Sequence, residues 1–192
     1  MEILTVGHST HPIELFLGLL GDNSVTAVAD VRRYPGSRRN PQFGAEQLSA
    51  SLAGAGIAYE SFAQSLGGRR SASKNAAAGA EVKRDNSAWR SASFRAYADY
   101  MATTEFAEGL EGLEKLARQA RVAVMCAEAH PSRCHRQLIA DALLARGWQV
   151  IHVLADGRRA VHELTGHGVI VEREVHYPGE LTTPLEGAAG AD

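Results

Sequence analysis

The sequence predicts an α/β fold: a single domain with a mainly parallel sheet and helices on both faces, in Rossmann-like layering. Three observations support this prediction. Short β-rich segments alternate with helical patterns along the chain. Apolar residues make up 45% and charged residues 22%, which is ordinary globular composition. The 192 residues can enclose one substantial core. We expect a domain at 1–185 with a flexible basic insertion near 69–93, and a disordered tail at 186–192.

In the first half of the chain, apolar runs and turn residues predict alternating strands and helices. They are a strand at Ile3–Val6, a helix from Pro12 to Gly21, a strand at Val25–Val31, a helix at Ala45–Ala53 and a strand at Ile57–Glu60. The segment "RRYPGSRRNPQF" contains two prolines and a glycine, which break regular structure. It is therefore expected to be a long loop.

The second half begins with the insertion, which is rich in Ala, Ser, Gly and charge. Its Trp89 is expected either to dock the insertion on the body or to contact a ligand. The elements predicted after it are helices at Phe94–Met101 and Thr104–Gln119, a buried strand at Arg121–Cys126, a helix from about Ser132 to Arg146 with Ser132 as its N-cap, a strand at Trp148–Leu154, a helical turn at Ala160–Leu164 and a late strand at Val169–Val175.

The charge distribution and the N-terminus suggest where the protein acts and on what. Residues 32–90 carry ten Lys or Arg against four acids, although the net charge is −2. Such clustering can focus an anionic ligand, so an anionic small molecule or a nucleic acid is the expected partner. Aromatic residues are sparse at 6%, which argues against sequence-specific base recognition. No apolar run approaches the roughly 18 residues needed to cross a bilayer, and the first residues do not resemble a signal peptide. We therefore expect a cytoplasmic protein without a membrane partner. Nothing indicates the oligomeric state.

Three polar motifs follow predicted strands: "GHST", "DVRRYPGSRR" and "CAEAHPSRCHR". In open α/β sheets the carboxyl ends of the strands form the ligand crevice, so these motifs are expected to meet there. The predicted catalytic residues are Cys126, Cys134, His135, Asp30 and His8. The predicted substrate- or anion-binding residues are Ser9, Arg32, Arg38, Gly67, Gly68 and Arg136.

The stretch "VMCAEAHPSRCHR" admits three interpretations. In the first, Cys126, Cys134 and His135 bind zinc or iron, and the fourth ligand comes from Glu128, His130 or His8. In the second, Cys126 or Cys134 is a nucleophilic thiolate, with His135 or His8 as its base and Arg136 or Arg32 binding an anionic group. In the third, both cysteines only pack in the core, as free cysteines often do.

The position of Cys134 bears on these alternatives. If the helix begins near Ser132, Cys134 and His135 lie in its first turn and point inward. The positive end of the helix dipole would then favour a Cys134 thiolate. With only two cysteines in the chain, reduced thiols are expected.

The order of several motifs resembles that of a bacterial and archaeal family known as domain of unknown function 488. The resemblance rests on "TVGHST", "DVRRYPGSRRNPQF", "GIAYESFAQSLGG", "FRAYADYM" and "VMCAEAHPSRCHRQLIADALLARGWQVIHV". The positions that match the motifs are His8, Ser9, Asp30, Arg32, Pro35, Ser37, Arg38, Gly67, Gly68, Cys126, Glu128, Cys134, His135 and Arg136. The resemblance implies a compact cytoplasmic α/β domain with a metal or catalytic site. It names no substrate.

Overall fold

A computed structural model describes residues 1–36, 38–70 and 85–179. Its strands are β1 (Glu2–Gly7), β2 (Ala27–Asp30), β3 (Ala58–Ser61), β4 (Val122–Cys126), β5 (Gln149–Val153), β6 (Arg159–Val161), β7 (Val169–Val171) and β8 (Glu174–His176). Its helices are α1 (Ile13–Asp22), α2 (Ala45–Gly54), α3 (Ala92–Tyr100), α4 (Thr104–Gln119) and α5 (Arg136–Ala145). The predicted Ser37 position, part of the insertion and the predicted tail lie outside the described residues.

Within the described residues, six strands form one sheet in the order β3-β2-β4-β1-β5-β6. Neighbours among the first five strands are parallel, and β6 runs antiparallel to β5 at one edge. The predicted α/β fold with a mainly parallel sheet is therefore confirmed. The register pairs Gly7 with Cys126 and Asp30 with Met125, so β1, β2 and β4 end side by side.

Helices cover both faces of the sheet, as predicted. On one face, α1 and α2 bury Phe16, Leu20, Leu48 and Leu52. On the other face, the three remaining helices bury a larger apolar cluster. Helix α4 shows why such helices form here: the Thr103 side chain accepts the Phe106 N–H at its start, and its apolar residues recur at helical spacing along the buried side.

The predicted helix start at Ser132 is wrong. Residues Pro131–Arg133 form a single 3-10 turn, closed by the Cys134 N–H donating to the Pro131 carbonyl at 3.0 Å. Cys134 then has extended backbone angles, and α5 begins only at Arg136. Ser132 does not cap the helix; its N–H instead bonds the His130 ring. Cys134 and His135 therefore precede the helix rather than forming its first turn.

Two predictions near the C-terminus also fail. Residues Arg159–Val161 form an edge strand where a helical turn was expected at Ala160–Leu164, because this segment pairs with β5. The late strand predicted at Val169–Val175 is a hairpin of β7 and β8, which turns at two residues with positive φ. Trp89 docks onto the body, one of its two predicted roles, by packing against Phe94, His167 and Tyr177.

Among the residues that the structure describes, no helix combines the length and the apolar character needed to cross a membrane.

Candidate functional site

Cys126, Cys134 and His135 converge at the carboxyl edge of the sheet and form what we call the cysteine cluster. The His135 Nδ1 atom lies 3.9 Å from the Cys126 sulfur and 3.7 Å from the Cys134 sulfur. One ligand atom from each residue lies within 4.8 Å of the others. Both cysteines are free and buried. Strand β4 supplies Cys126, and the two-residue link between the 3-10 turn and α5 supplies Cys134 and His135.

A hydrogen bond to the main chain fixes the orientation of the His135 ring. Its Nε2 atom lies 2.9 Å from the Val31 carbonyl oxygen, so Nε2–H is the donor and Nδ1 carries the lone pair. Gly68 packs against the other side of the ring: a Cβ added there would lie 2.7 Å from Nδ1. Gly68 therefore leaves open the space beside the atom that faces both sulfurs.

The two cysteines share a proton unequally. Hydrogen bonding from the Cys134 thiol, followed by the influence of His135 and Arg136, holds the pKa of Cys126 well below its usual value despite burial. The same hydrogen bond and burial raise the pKa of Cys134. In the absence of a metal, these opposite shifts favour the thiolate on Cys126 and the thiol on Cys134.

The cluster opens into a cavity of about 380 Å³, which we call the pocket. Its wall includes the predicted residues Arg32, Gly68 and Glu128. It also includes residues that were not predicted as site residues: Arg33, Tyr34, Arg69, Ser93, Phe94, Tyr97 and Arg133. Glu128 has an exposed side chain and lies outside the converging ligand atoms. Arg133 belongs to the cysteine-rich stretch, so its charge was a signal that could have identified it.

Asp30, Arg32 and His8 form a buried network next to the cysteine cluster. The Asp30 carboxylate pairs with Arg32 at 2.6 Å and accepts the Tyr59 hydroxyl at 2.8 Å. Arg32 also donates to the Phe43 carbonyl at 2.7 Å and to the His8 ring at 3.2 Å. Burial and the Arg32 charge lower the pKa of His8 to about 4, so the ring is neutral. The network joins two of the predicted motifs, and its polar groups bond one another.

The remaining predicted residues lie around these two groups. Ser9 donates its N–H to the Ala127 carbonyl at 2.9 Å, which ties "GHST" to the cysteine loop. Arg136 is buried behind the loop. Gly67 packs on Arg33, and Arg38 lines a separate shallow depression with Pro41 and Gln42. The three predicted motifs therefore meet at one edge, but Arg38 lies apart from the pocket.

Comparison with known proteins gives one result. A family model described as Domain of unknown function DUF488 matches residues 12–143, more than half of the chain. The chain belongs to this family. The matched range contains the "DVRR", "LGG" and "CHR" motifs, and "GHST" precedes it. Comparison with the curated proteins, and with the solved structures, gave no match. Family membership agrees with the resemblance seen in the sequence, and the function must be argued from the site.

Proposed function

We propose that this protein is an enzyme that acts on an anionic substrate. In this proposal Cys126, Cys134 and His135 bind a divalent metal ion, zinc or iron, at the active site. The convergence of three donor atoms carries the proposal. Zinc bonds of about 2.3 Å to sulfur and about 2.0–2.1 Å to nitrogen, in a tetrahedron, place neighbouring ligand atoms roughly 3.5–3.8 Å apart. The sulfur-to-nitrogen distances of 3.7 and 3.9 Å are close to that spacing.

The surroundings of the ligands support a metal. Metal-binding histidines usually donate their second ring N–H to a carbonyl or carboxylate, and His135 does so to Val31. Two thiolates and an imidazole are ligands that zinc accepts readily. Three protein ligands leave a fourth position free, which is characteristic of catalytic rather than structural zinc sites. A metal there would polarise a substrate oxygen or activate a water molecule.

The charge of the pocket supports an anionic substrate. Arg33, Arg69 and Arg133 line it, and none of the three forms an ion pair within the part of the chain that the structure describes. Guanidinium groups suit phosphate and carboxylate because they donate two parallel hydrogen bonds. Tyr34 and Phe94 line the same pocket and can contact a base. We therefore propose a nucleotide or nucleic-acid-like substrate, with Glu128 as the carboxylate that exchanges protons with it.

Metal analysis tests the centre. Wild type purified without chelator is compared with Cys126→Ser, Cys134→Ser and His135→Gln, and with His130→Gln as the matched control. The His130 ring bonds Ser132 and lies outside the cluster. We expect about one metal ion per chain in wild type and the control, and a loss in the three variants. Equal metal content in all five proteins would refute the centre.

Turnover is tested separately, because a metal- or anion-binding module would give the same metal content. Metal-loaded protein is incubated with mononucleotides and single-stranded oligonucleotides, and products are identified by mass spectrometry. Product that disappears in Cys134→Ser supports the enzyme. Binding without product supports the module. Turnover by metal-free wild type that is lost only in Cys126→Ser would instead favour the Cys126 thiolate as a nucleophile.

A further inference from the structure

Arg136 carries a buried charge that no carboxylate balances among the described residues. Its side chain is only 1% exposed. Nη1 donates to the Val6 carbonyl at 2.7 Å and Nη2 to the Ala129 carbonyl at 3.0 Å, and Nε has no partner. A buried cation is costly unless an opposite charge lies near it. The carbonyl bonds fix its position, and the compensating charge must come from another group.

The guanidinium lies beside the cysteine cluster. Gly7 pairs with Cys126 in the parallel sheet, and side chains of such partners point to the same face about 5 Å apart. A Cβ added to Gly7 would lie 2.8 Å from Nη1 of Arg136 and would also clash with the Glu128 carbonyl. Arg136 therefore fills the space of the side chain that Gly7 lacks, next to Cys126. The Arg136 main-chain N–H also donates to the Cys134 sulfur at 3.5 Å.

We propose that Arg136 determines specificity by making the open position of the centre select an oxyanion, such as the phosphate or carboxylate group of the substrate. This inference rests on the proposed metal centre. A divalent ion, two thiolates and a neutral histidine sum to zero charge. Arg136 raises the local sum to plus one, so a singly charged anion in the fourth position balances it. Because the site is buried, solvent screens this interaction weakly.

Cobalt-substituted protein provides the test, since the visible absorption bands of bound cobalt shift when its fourth ligand changes. Inorganic phosphate is the anionic probe and imidazole the neutral one. The variant Arg136→Gln removes the charge and retains a side chain able to donate to a carbonyl. The control Arg158→Gln removes an exposed arginine that pairs with Asp156 near the β5–β6 turn.

We expect phosphate to bind wild type and the control equally, and Arg136→Gln on the order of tenfold to a hundredfold more weakly. Imidazole should bind all three alike. Arg136→Lys keeps the charge and should keep the preference for phosphate. If Arg136→Gln does not fold, a preference for phosphate that is lost in folded, cobalt-loaded Arg136→Lys would still contradict a role of the charge. Loss of phosphate and imidazole affinity together would indicate a merely structural role and overturn the inference.

The failures of the two proposals can be distinguished. Wild type that takes up no cobalt refutes the metal centre, and the role of Arg136 with it. Cobalt that binds wild type, is lost in Cys134→Ser, and binds phosphate equally with and without the Arg136 charge refutes only the role of Arg136. Phosphate that leaves the cobalt bands of wild type unchanged does the same, because it then does not occupy the fourth position of the metal.

Discussion

Two clusters of polar side chains lie at helix α5, and they differ in how completely their polar atoms are paired by hydrogen bonds. The cysteine cluster precedes the helix, and its donor atoms face one another and the pocket. Asp141, in the middle of the helix, is fully buried and accepts hydrogen bonds from His162 at 2.9 Å, from the Thr165 main chain at 3.0 Å and from the hydroxyls of Thr165 and Tyr177 at 2.7 and 2.8 Å. His152 extends this Asp141 network by bonding His162 at 3.0 Å.

The difference shows which cluster serves stability and which is available to a ligand. Asp141 binds His162 and Thr165, in the segment that follows β6, and Tyr177, directly after β8, so it fastens the C-terminal segment to the helix. Each oxygen of its carboxylate accepts two hydrogen bonds, and Asp141 does not line the pocket. The cysteine cluster forms weak contacts at 3.7 to 3.9 Å and borders a cavity. A saturated network stabilises the fold, whereas an unsaturated one at a cavity can bind another group.

Among changes to the Asp141 network, replacing Asp141 itself should lower the free energy of unfolding most. Asp141→Ala leaves four buried donors without an acceptor, so we expect a loss of about 3–5 kcal/mol in the free energy of unfolding. Urea denaturation measures it, with the exposed Glu108→Ala as control, expected within about 0.5 kcal/mol of wild type. The folded fraction should keep its metal. Metal loss without loss of stability would reverse the assignment of the two clusters.

The Asp141 network should also make stability depend on pH. Burial lowers the pKa of His152 to about 3, against about 6.5 in the unfolded chain, so the unfolded state binds the proton first as pH falls. The stability that depends on neutral His152 is fully present above pH 6.5 and decreases as the pH falls toward 3. The loss should reach about 3 kcal/mol at pH 4. Unfolding free energies at pH 7 and pH 4 should therefore differ more in wild type than in His152→Gln. Equal differences would contradict this account.

The sequence predicts a cluster when chain order and strand pairing alone bring its residues together, and not when the cluster depends on side-chain direction. The shared edge of β1, β2 and β4 was predictable, because strand order along the chain and parallel pairing bring their ends together. The proximity of Cys126, Cys134 and His135 was predictable because all three lie on the short segment from the end of β4 to the start of α5. The pairing of Asp30 with Arg32 could not be predicted, since sequence spacing does not fix the direction in which the two side chains point.

The Asp141 network was missed because its members come from four distant segments. One signal was present: an aspartate interrupts the apolar run "LIADALL" at a buried helix position. Its partners could not be identified without knowing that Arg159–Val161 pairs with β5, which the predicted helical turn at Ala160–Leu164 precluded. The wrong start of α5 had a local cause, since a 3-10 turn and an α-helix share the same proline-initiated sequence signal.

In the cysteine cluster, a single methyl group can fill the space beside the His135 ring. Gly68→Ala would place a Cβ 2.7 Å from His135 Nδ1, so the ring must leave the position in which Nδ1 faces the two sulfurs. We expect metal affinity to fall on the order of tenfold to a hundredfold, the range seen when the support of a metal ligand is disturbed. Competition with a chelator measures it. Gly54→Ala, where nothing lies within 4 Å of the added atom, is the control. Unchanged affinity in Gly68→Ala would mean that Nδ1 is not a ligand.

The smallest effect on stability is expected when one hydrogen bond of the Asp141 network, from the Tyr177 hydroxyl, is removed. Tyr177→Phe keeps the ring that packs on Trp89 and His167 but removes the hydroxyl that donates to Asp141. Three donors still bond the carboxylate, so the loss should be about 1.5–2 kcal/mol, the lower part of the range for one hydrogen bond to a charged acceptor. In the double variant with Asp141→Ala, the effect of losing the hydroxyl should nearly vanish or reverse, because the acceptor has gone. If the two losses simply add, the Tyr177 hydroxyl stabilises the chain through a partner other than Asp141, and the saturated network has one member fewer.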